Sequence, residues 1–362
     1  MKHCALLLAA ALALSTAPAS ARSRAGADYA QALASAVPPA LARHKVPAMS
    51  IALVRDGRLV MARTWGHAAP GRPADDRTLF NVASLTKPIT AETALRLAAT
   101  GELDLDSAMA SHWVDPDIAT DRRRWLLPPR LALSHQGGFA NWRSETGNTL
   151  KFVFSPGKGV RYSGEGYEYF GRYVTRKSGE TLDSLAQRLV FSPAGMSATS
   201  YSRRDWFAER IAHPSREGEW LEPDIADTAI ASDQLHTSAT DYARFLASLI
   251  RGDGLTTALF RERGRIHADQ TRALCKRPEA GTCPDEAGFG LGWQIFRFGR
   301  RRFMMHTGSD QGEFSLAYWS ADTREAAVVL TNGAGGGAAL LEIIDQLGID
   351  GTFLAYLKTQ AG

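Results

Sequence analysis

Lysine is scarce in this 362-residue chain: only eight of its 42 basic side chains are lysine, and 38 acidic ones leave a net charge of +4. The densest basic runs, Arg122 to Arg124 and Arg300 to Arg302, are each three residues long. No concentrated cationic stripe is present, so no nucleic-acid partner is expected. Cysteine is scarcer still, at three residues. With no C-x-x-C and no H-E-x-x-H spacing, no metal site and no cofactor are expected. No serine stands in G-x-S-x-G, which excludes the nucleophile elbow of the α/β-hydrolases. No internal repeat of 20–50 residues occurs, which excludes solenoids. The composition, 44% hydrophobic and 22% charged, is that of an ordinary globular protein of about two domains.

The first residues read as an export leader. Lys2 precedes the apolar run Ala5 to Leu14, and the small-residue stretch Ala19-Ser20-Ala21 follows, with cleavage expected after Ala21. Ten apolar residues are too few to span a bilayer, and no other run reaches about 18, so no membrane insertion is expected after cleavage. A periplasmic or secreted location follows as an expectation. Cys4 leaves with the leader, and the remaining pair, Cys275 and Cys283, is expected to form a disulfide in an oxidising compartment.

Periodicity predicts a helix over 28–43 interrupted at Pro38-Pro39, then strands 50–54 and 58–64 joined by the hairpin signal Asp56-Gly57. A helix is expected over 86–99, and further helices over 181–190 and 239–250. Strands return at 289–298, 302–306, 313–319 and 326–331, with a last helix over 338–347. The expected fold is α/β of the α+β kind: an antiparallel sheet flanked by helices and built from both chain ends, with a mostly helical insertion. The corresponding domains are 28–85 with 286–360 for the sheet and 86–285 for the helical part. Gly333 to Ala338 fits the dinucleotide pattern G-x-G-x-x-G/A. Too little chain follows to complete a parallel sheet, so it reads as a glycine-rich loop.

Ser84-Leu85-Thr86-Lys87 opens the helix expected at 86–99. A three-residue spacing on a helix puts the hydroxyl and the amine on one face. A lysine stripped of its charge by burial can take a serine proton, which arginine cannot. The helix N-terminus favours negative charge developing beside the serine. A second match, Ser155-Pro156-Gly157-Lys158, lacks the helical context because of its Pro-Gly.

Further stretches accompany the first match in order: Phe80 to Pro88, Leu103 to Asp106, Leu133 to Gly138, Arg161-Tyr162-Ser163-Gly164, Ser192 to Met196, Ser238 to Phe245, Gly290 to Trp293, His306-Thr307-Gly308-Ser309 and Leu330 to Gly333. In these the chain resembles the penicillin-recognising serine hydrolases, in the branch of class C β-lactamases, DD-peptidases and related esterases, from about residue 30 to 350. The resemblance implies a β-lactamase/transpeptidase-like fold and an acyl-enzyme on Ser84. Lys87 and Tyr162 would exchange protons with it, the roles of base and relay being left open between them. The backbone N–H groups of Ser84 and Ser309 would form the oxyanion hole, with Ser163, Gly164, His306, Thr307 and Gly308 on the substrate side. A phenol with a pKa near 10 would need the lysine ammonium nearby to lower it.

Two departures matter. Gly164 stands where β-lactamases of the branch carry the asparagine that holds a substrate acylamide, and His306 replaces the lysine of their K-T-G box. Histidine titrates near pH 6.5, so attraction for a substrate carboxylate should be weak and pH-dependent. Both changes point to an exported hydrolase of ester or amide substrates, small molecules or cell-wall and other D-amino-acid peptides. The alternatives are a true β-lactamase and a catalytically idle binder of cell-wall peptide or protein.

Overall fold

The computed structural model describes residues 19–360, with side chains from residue 26 onward. The leader expected over residues 1–21 lies largely outside the described residues. Nine strands form one antiparallel sheet: β1 Ala48–Arg55, β2 Arg58–Ala69, β3 Arg72–Pro73, β4 Ala268–Asp269, β5 Glu286–Phe289, β6 Gln294–Phe298, β7 Arg301–Ser309, β8 Phe314–Ser320 and β9 Glu325–Thr331. Their spatial order is β3-β2-β1-β9-β8-β7-β6-β5-β4, so β1 pairs β9 and joins the two ends of the chain. Asp56 (φ 52°) and Gly57 (φ 70°) make the tight turn of the β1–β2 hairpin, the left-handed pair that a two-residue connection requires.

Strand alternation sorts the core into two layers. Met49, Ile51, Leu53 and Val329 face helices α1 (Ala19–Arg43), α5 (Gly336–Ile343) and α6 (Gly351–Gln360). Ala48, Ala52, Val54, Val328 and Leu330 face α2 (Thr86–Ala99) and α4 (Ala239–Arg251), and this layer runs on through α3 (Gly164–Ser178) into the helical part. The central strands are covered on both faces, which is why β1 is apolar at nearly every position. The span 86–285 does not stay apart from the sheet, because α4 packs on β1, β2 and β9 and β4 extends the far edge.

The elements differ from the sequence expectations at several places. Helix α1 continues through Pro38 and Pro39, because Leu33, Val37, Ala40 and Leu41 bury one face and offset the missing N–H groups. The strand expected over 289–298 is two strands, folded back at Gly292 (φ 82°) with Gly290 N–H bonded to the Trp293 carbonyl. Helices α3 and α6 and the short strands β3 and β4 lay outside the predicted elements. Among the described residues no helix is long and apolar enough to cross a membrane. A disulfide joins Cys275 and Cys283 beside β5 and α6.

Helix α2 is anchored by a buried ion network. Arg263 Nη1 donates to both Glu92 oxygens at 3.1 and 3.0 Å, and Arg96 Nε donates to Oε1 at 3.0 Å. These bonds fix the helix whose first turn carries the Ser84 motif.

Candidate active site

Ser84 sits on a single 3₁₀ turn, Ala83–Leu85, that leads directly into α2. The residue before it, Ala83, is left-handed (φ 48°), a conformation that costs a non-glycine residue about 1 kcal/mol and turns the next side chain outward. Three bonds hold the turn. Asn81 Oδ1 accepts from Ala83 N at 2.9 Å, Thr86 Oγ1 donates to the Ala83 carbonyl at 2.7 Å, and Ser315 Oγ donates to the Val82 carbonyl at 2.7 Å.

Lys87 Nζ donates to Ser84 Oγ at 2.9 Å and to the Ser232 carbonyl at 2.9 Å. Burial drives the Lys87 amine down from 10.5 to about 8, although Asp233 and Glu168 pull the other way. The Ser232 carbonyl is itself fixed, since Ser232 N and Oγ donate to Glu168 Oε1 at 2.9 and 2.6 Å.

Tyr162 lines the same pocket as Ser84, which acts on its hydroxyl, and Lys87 Nζ lies 4.9 Å from the centre of the Tyr162 ring. The lysine therefore stands over the ring face, and the expected lowering of the phenol does not occur. Burial pushes Tyr162 up from 10.0 to about 12, so it is a neutral donor at physiological pH. His135 holds this tyrosine in place. Its ring packs against Tyr162, tilted by 34° with centroids 4.4 Å apart, its Nδ1 accepts from Ser163 N at 3.1 Å, and its carbonyl accepts from Arg161 N at 2.9 Å.

Ser84, Tyr162, Thr307 and Ser309 converge on one pocket of about 420 Å³. Asn141, Trp142, Asp233 and Asp310 complete its lining. None of these four stands out in the sequence, because each is supplied by a loop with no spacing relation to Ser84. The other expected substrate-side residues play different parts. Ser163 is buried and caps α3, accepting from Gly166 N at 3.0 Å and donating to the Ala140 carbonyl at 2.7 Å. Gly164 lies under the Trp142 ring: a Cβ there would come within 2.8 Å of it, and its N–H donates to Asn141 Oδ1 at 2.8 Å. Gly308 faces the Ser84 turn.

His306 departs furthest from expectation. It is 5% exposed and absent from the pocket lining, and its Nδ1 lies 2.6 Å from the Thr307 carbonyl. Burial, reinforced by Lys87, pushes the imidazole down to about 3, so it is neutral throughout the physiological range. The pH-dependent attraction for a substrate carboxylate expected of this position is therefore not available.

A family model described as Beta-lactamase matches residues 33–347. Esterase EstB of Burkholderia gladioli is 30% identical over 209 residues, covering 49% of this chain and 52% of EstB. The chain thus spans about half the length of that relative. Penicillin-binding protein 4 of Amycolatopsis lactamdurans is 27% identical over 324 residues, covering 80% of this chain and 82% of that protein. Among solved structures, EstCE1, a hydrolase with promiscuous acyltransferase activity, superposes with a TM-score of 0.74 at 18% identity, covering 90% of this chain and 100% of its own. A class C beta-lactamase gives 0.72 at 15% identity, covering 90% and 98%.

Proposed function

Because the chain belongs to the beta-lactamase family, a family of serine hydrolases, we propose that it cleaves ester or amide substrates through an acyl-enzyme on Ser84. The observation that carries this reading is the bond at the nucleophile: Ser84 Oγ takes the Lys87 amine at 2.9 Å, in a pocket that Tyr162 also lines. An alcohol and an amine from one helix start and a phenol from a second, distant segment meet beside strand β7, within short proton steps of one another.

Lys87 is the better base of the two. With a pKa of about 8 roughly a tenth of it is neutral at pH 7, whereas Tyr162 at about 12 is almost wholly protonated. The Ser232 carbonyl engages one Nζ hydrogen and turns the nitrogen toward Ser84. As Ser84 Oγ bonds to the acyl carbon, its proton passes to Lys87. The departing alcohol or amine takes the proton of the Tyr162 hydroxyl, and Tyr162 recovers one from Lys87. Water then adds to the acyl-enzyme and releases the acid, returning Ser84 to its hydroxyl form. The N–H groups of Ser84 and Ser309, both lining the pocket, are assigned to the oxyanion. No metal or cofactor takes part in this scheme.

Substrates of this site are esters, amides or D-amino-acid peptides. Relatives called an esterase and a Putative D-alanyl-D-alanine carboxypeptidase fall within this range. A dedicated β-lactamase is the weaker reading, because Gly164 gives no side-chain amide and His306 no cation. Export fits the leader-like residues 1–21 and the Cys275–Cys283 disulfide. The test is a mass spectrum after fluorophosphonate treatment, with hydrolysis of short-chain esters, D-Ala-D-Ala peptides and a chromogenic cephalosporin. An adduct on Ser84 and turnover of esters or peptides are expected. An unmodified Ser84 would favour the idle binder, and cephalosporin turnover faster than that of any ester would restore the β-lactamase.

A further inference from the structure

The charge of the pocket is opposite in sign to that of the chain. The protein carries a net charge of +4, yet the pocket is lined by Asp233 and Asp310 and by no arginine or lysine. Many carboxylates elsewhere are paired with arginine even at the surface, as in Asp106 with Arg130 at 2.6 Å and Asp253 with Arg251 at 2.5 Å. Neither pocket aspartate makes an ion pair among the described residues. Each instead accepts one backbone N–H on Oδ1, from Gln234 and Gln311 respectively, both at 2.8 Å. The second oxygen of each has no hydrogen-bond donor among the described residues.

The surrounding cations do not neutralise both of them. Lys87 stands behind Ser84 and outside the lining, and its single charge, felt at Asp233, offsets at most one of the two carboxylates. His306 is neutral and buried, outside the lining. Arg161 is held by Glu145 at 2.8 Å, and Arg216 Nε donates to the Gln311 carbonyl at 3.0 Å, both residues lying outside the lining. Glu313, buried next to this loop, adds a third carboxyl. The charge on Asp310 is felt at both Asp233 and Glu313, which places the three groups within one field. Trp142 contributes an aromatic face to the same pocket, a surface that also favours cations.

We infer that the pocket selects acyl substrates bearing a protonated amine near the scissile carbonyl over those bearing a carboxylate, and that Asp310 and Asp233 read this charge. The inference rests on the Ser84 acyl-enzyme reading and narrows its substrate class. A carboxylate entering the pocket would meet two unpaired like charges, while an ammonium would find an unengaged oxygen on each.

The test compares three p-nitroanilides of alanine, each in the D and L forms, at pH 7. The free-amine compound is cationic, the N-acetyl compound neutral and the N-succinyl compound anionic. In the wild type kcat/KM is expected to be at least tenfold higher for the cationic than for the anionic anilide, and raising the salt should narrow the ratio. Asp310→Asn should reduce the ratio several-fold and Asp310→Lys should invert it. A general loss of activity cancels in this ratio. A wild-type preference for the succinyl compound, or a ratio unmoved by Asp310→Lys, overturns the inference. If no anilide is cleaved and Ser84 takes no fluorophosphonate, the parent reading fails. The charge preference is then read from titration of the same protein with benzylamine and benzoate, where tighter binding of benzoate refutes it.

Discussion

Substituting Gly308 by alanine tests whether the strand beside the site sets the position of the nucleophile. Gly308 lies opposite Ser315 in the β7–β8 pair. A Cβ on it would fall 2.1 Å from the Val82 carbonyl oxygen, 2.5 Å from Ser315 Oγ and 3.0 Å from Leu85 N. Ordinary carbon–oxygen contacts exceed 3 Å, so the Val82 carbonyl must retreat by about 1 Å. That oxygen accepts from both Ser315 Oγ and Leu85 N, so its retreat carries the Ala83–Leu85 turn with it. Overpacking of this kind costs about 1–3 kcal/mol, and a displacement of about 1 Å at a reacting group costs about 10²-fold in rate. The assay is the rate of fluorophosphonate labelling of Ser84 and of p-nitrophenyl ester hydrolysis, alongside thermal unfolding. Gly351→Ala is the control, because a Cβ at Gly351 meets nothing within 4 Å. A folded Gly308→Ala protein that labels within threefold of the wild type would refute the claim that β7 fixes the nucleophile turn.

Three other outcomes follow from the same structure. With Lys87 as base at a pKa of about 8, kcat/KM should rise with pH through 8, and Asp233→Asn should move that limb to lower pH by removing the charge that stabilises the ammonium. A limb that stays put or moves upward in the variant would assign it to another group. His306 is held down at about 3 against an ordinary 6.5, so the unfolded chain binds a proton below pH 6.5 that the native one refuses. Stability is therefore lost as pH falls, and by pH 5 the wild type should lose about 2 kcal/mol more than His306→Gln, as read by urea unfolding at each pH. Replacing both Cys275 and Cys283 by serine opens a short loop and should cost about 2 kcal/mol while leaving ester hydrolysis intact, since neither cysteine lines the pocket. A matching loss of kcat would place the disulfide in support of the site.

Much of the framework was legible in the amino-acid order because it depends on local rules. Short β-like runs located β1, β2, β8 and β9, Asp56-Gly57 marked the hairpin, and the expected bounds of α2 coincide with the observed Thr86–Ala99. The Ser84 to Lys87 spacing belongs to one helix start and so predicted its own contact. What failed depended on neighbours distant in the chain. Pro38 and Pro39 carry a local breaking signal that the burial of Val37 and Ala40 overrides. His306 carries the pKa of a free imidazole only until the sheet closes around it, and Tyr162 moves up rather than down because burial disfavours its charged form.

Sequence alone therefore determined which groups could react and the order of the main sheet strands and of α1, α2, α4 and α5, since these follow from side-chain chemistry and from local runs and helical periods. Tertiary structure decided which of those groups share a pocket, which are charged there, and that Asn141, Trp142, Asp233 and Asp310 surround the nucleophile. Those properties are set by desolvation and by distances between segments tens to hundreds of residues apart, and no local pattern encodes either.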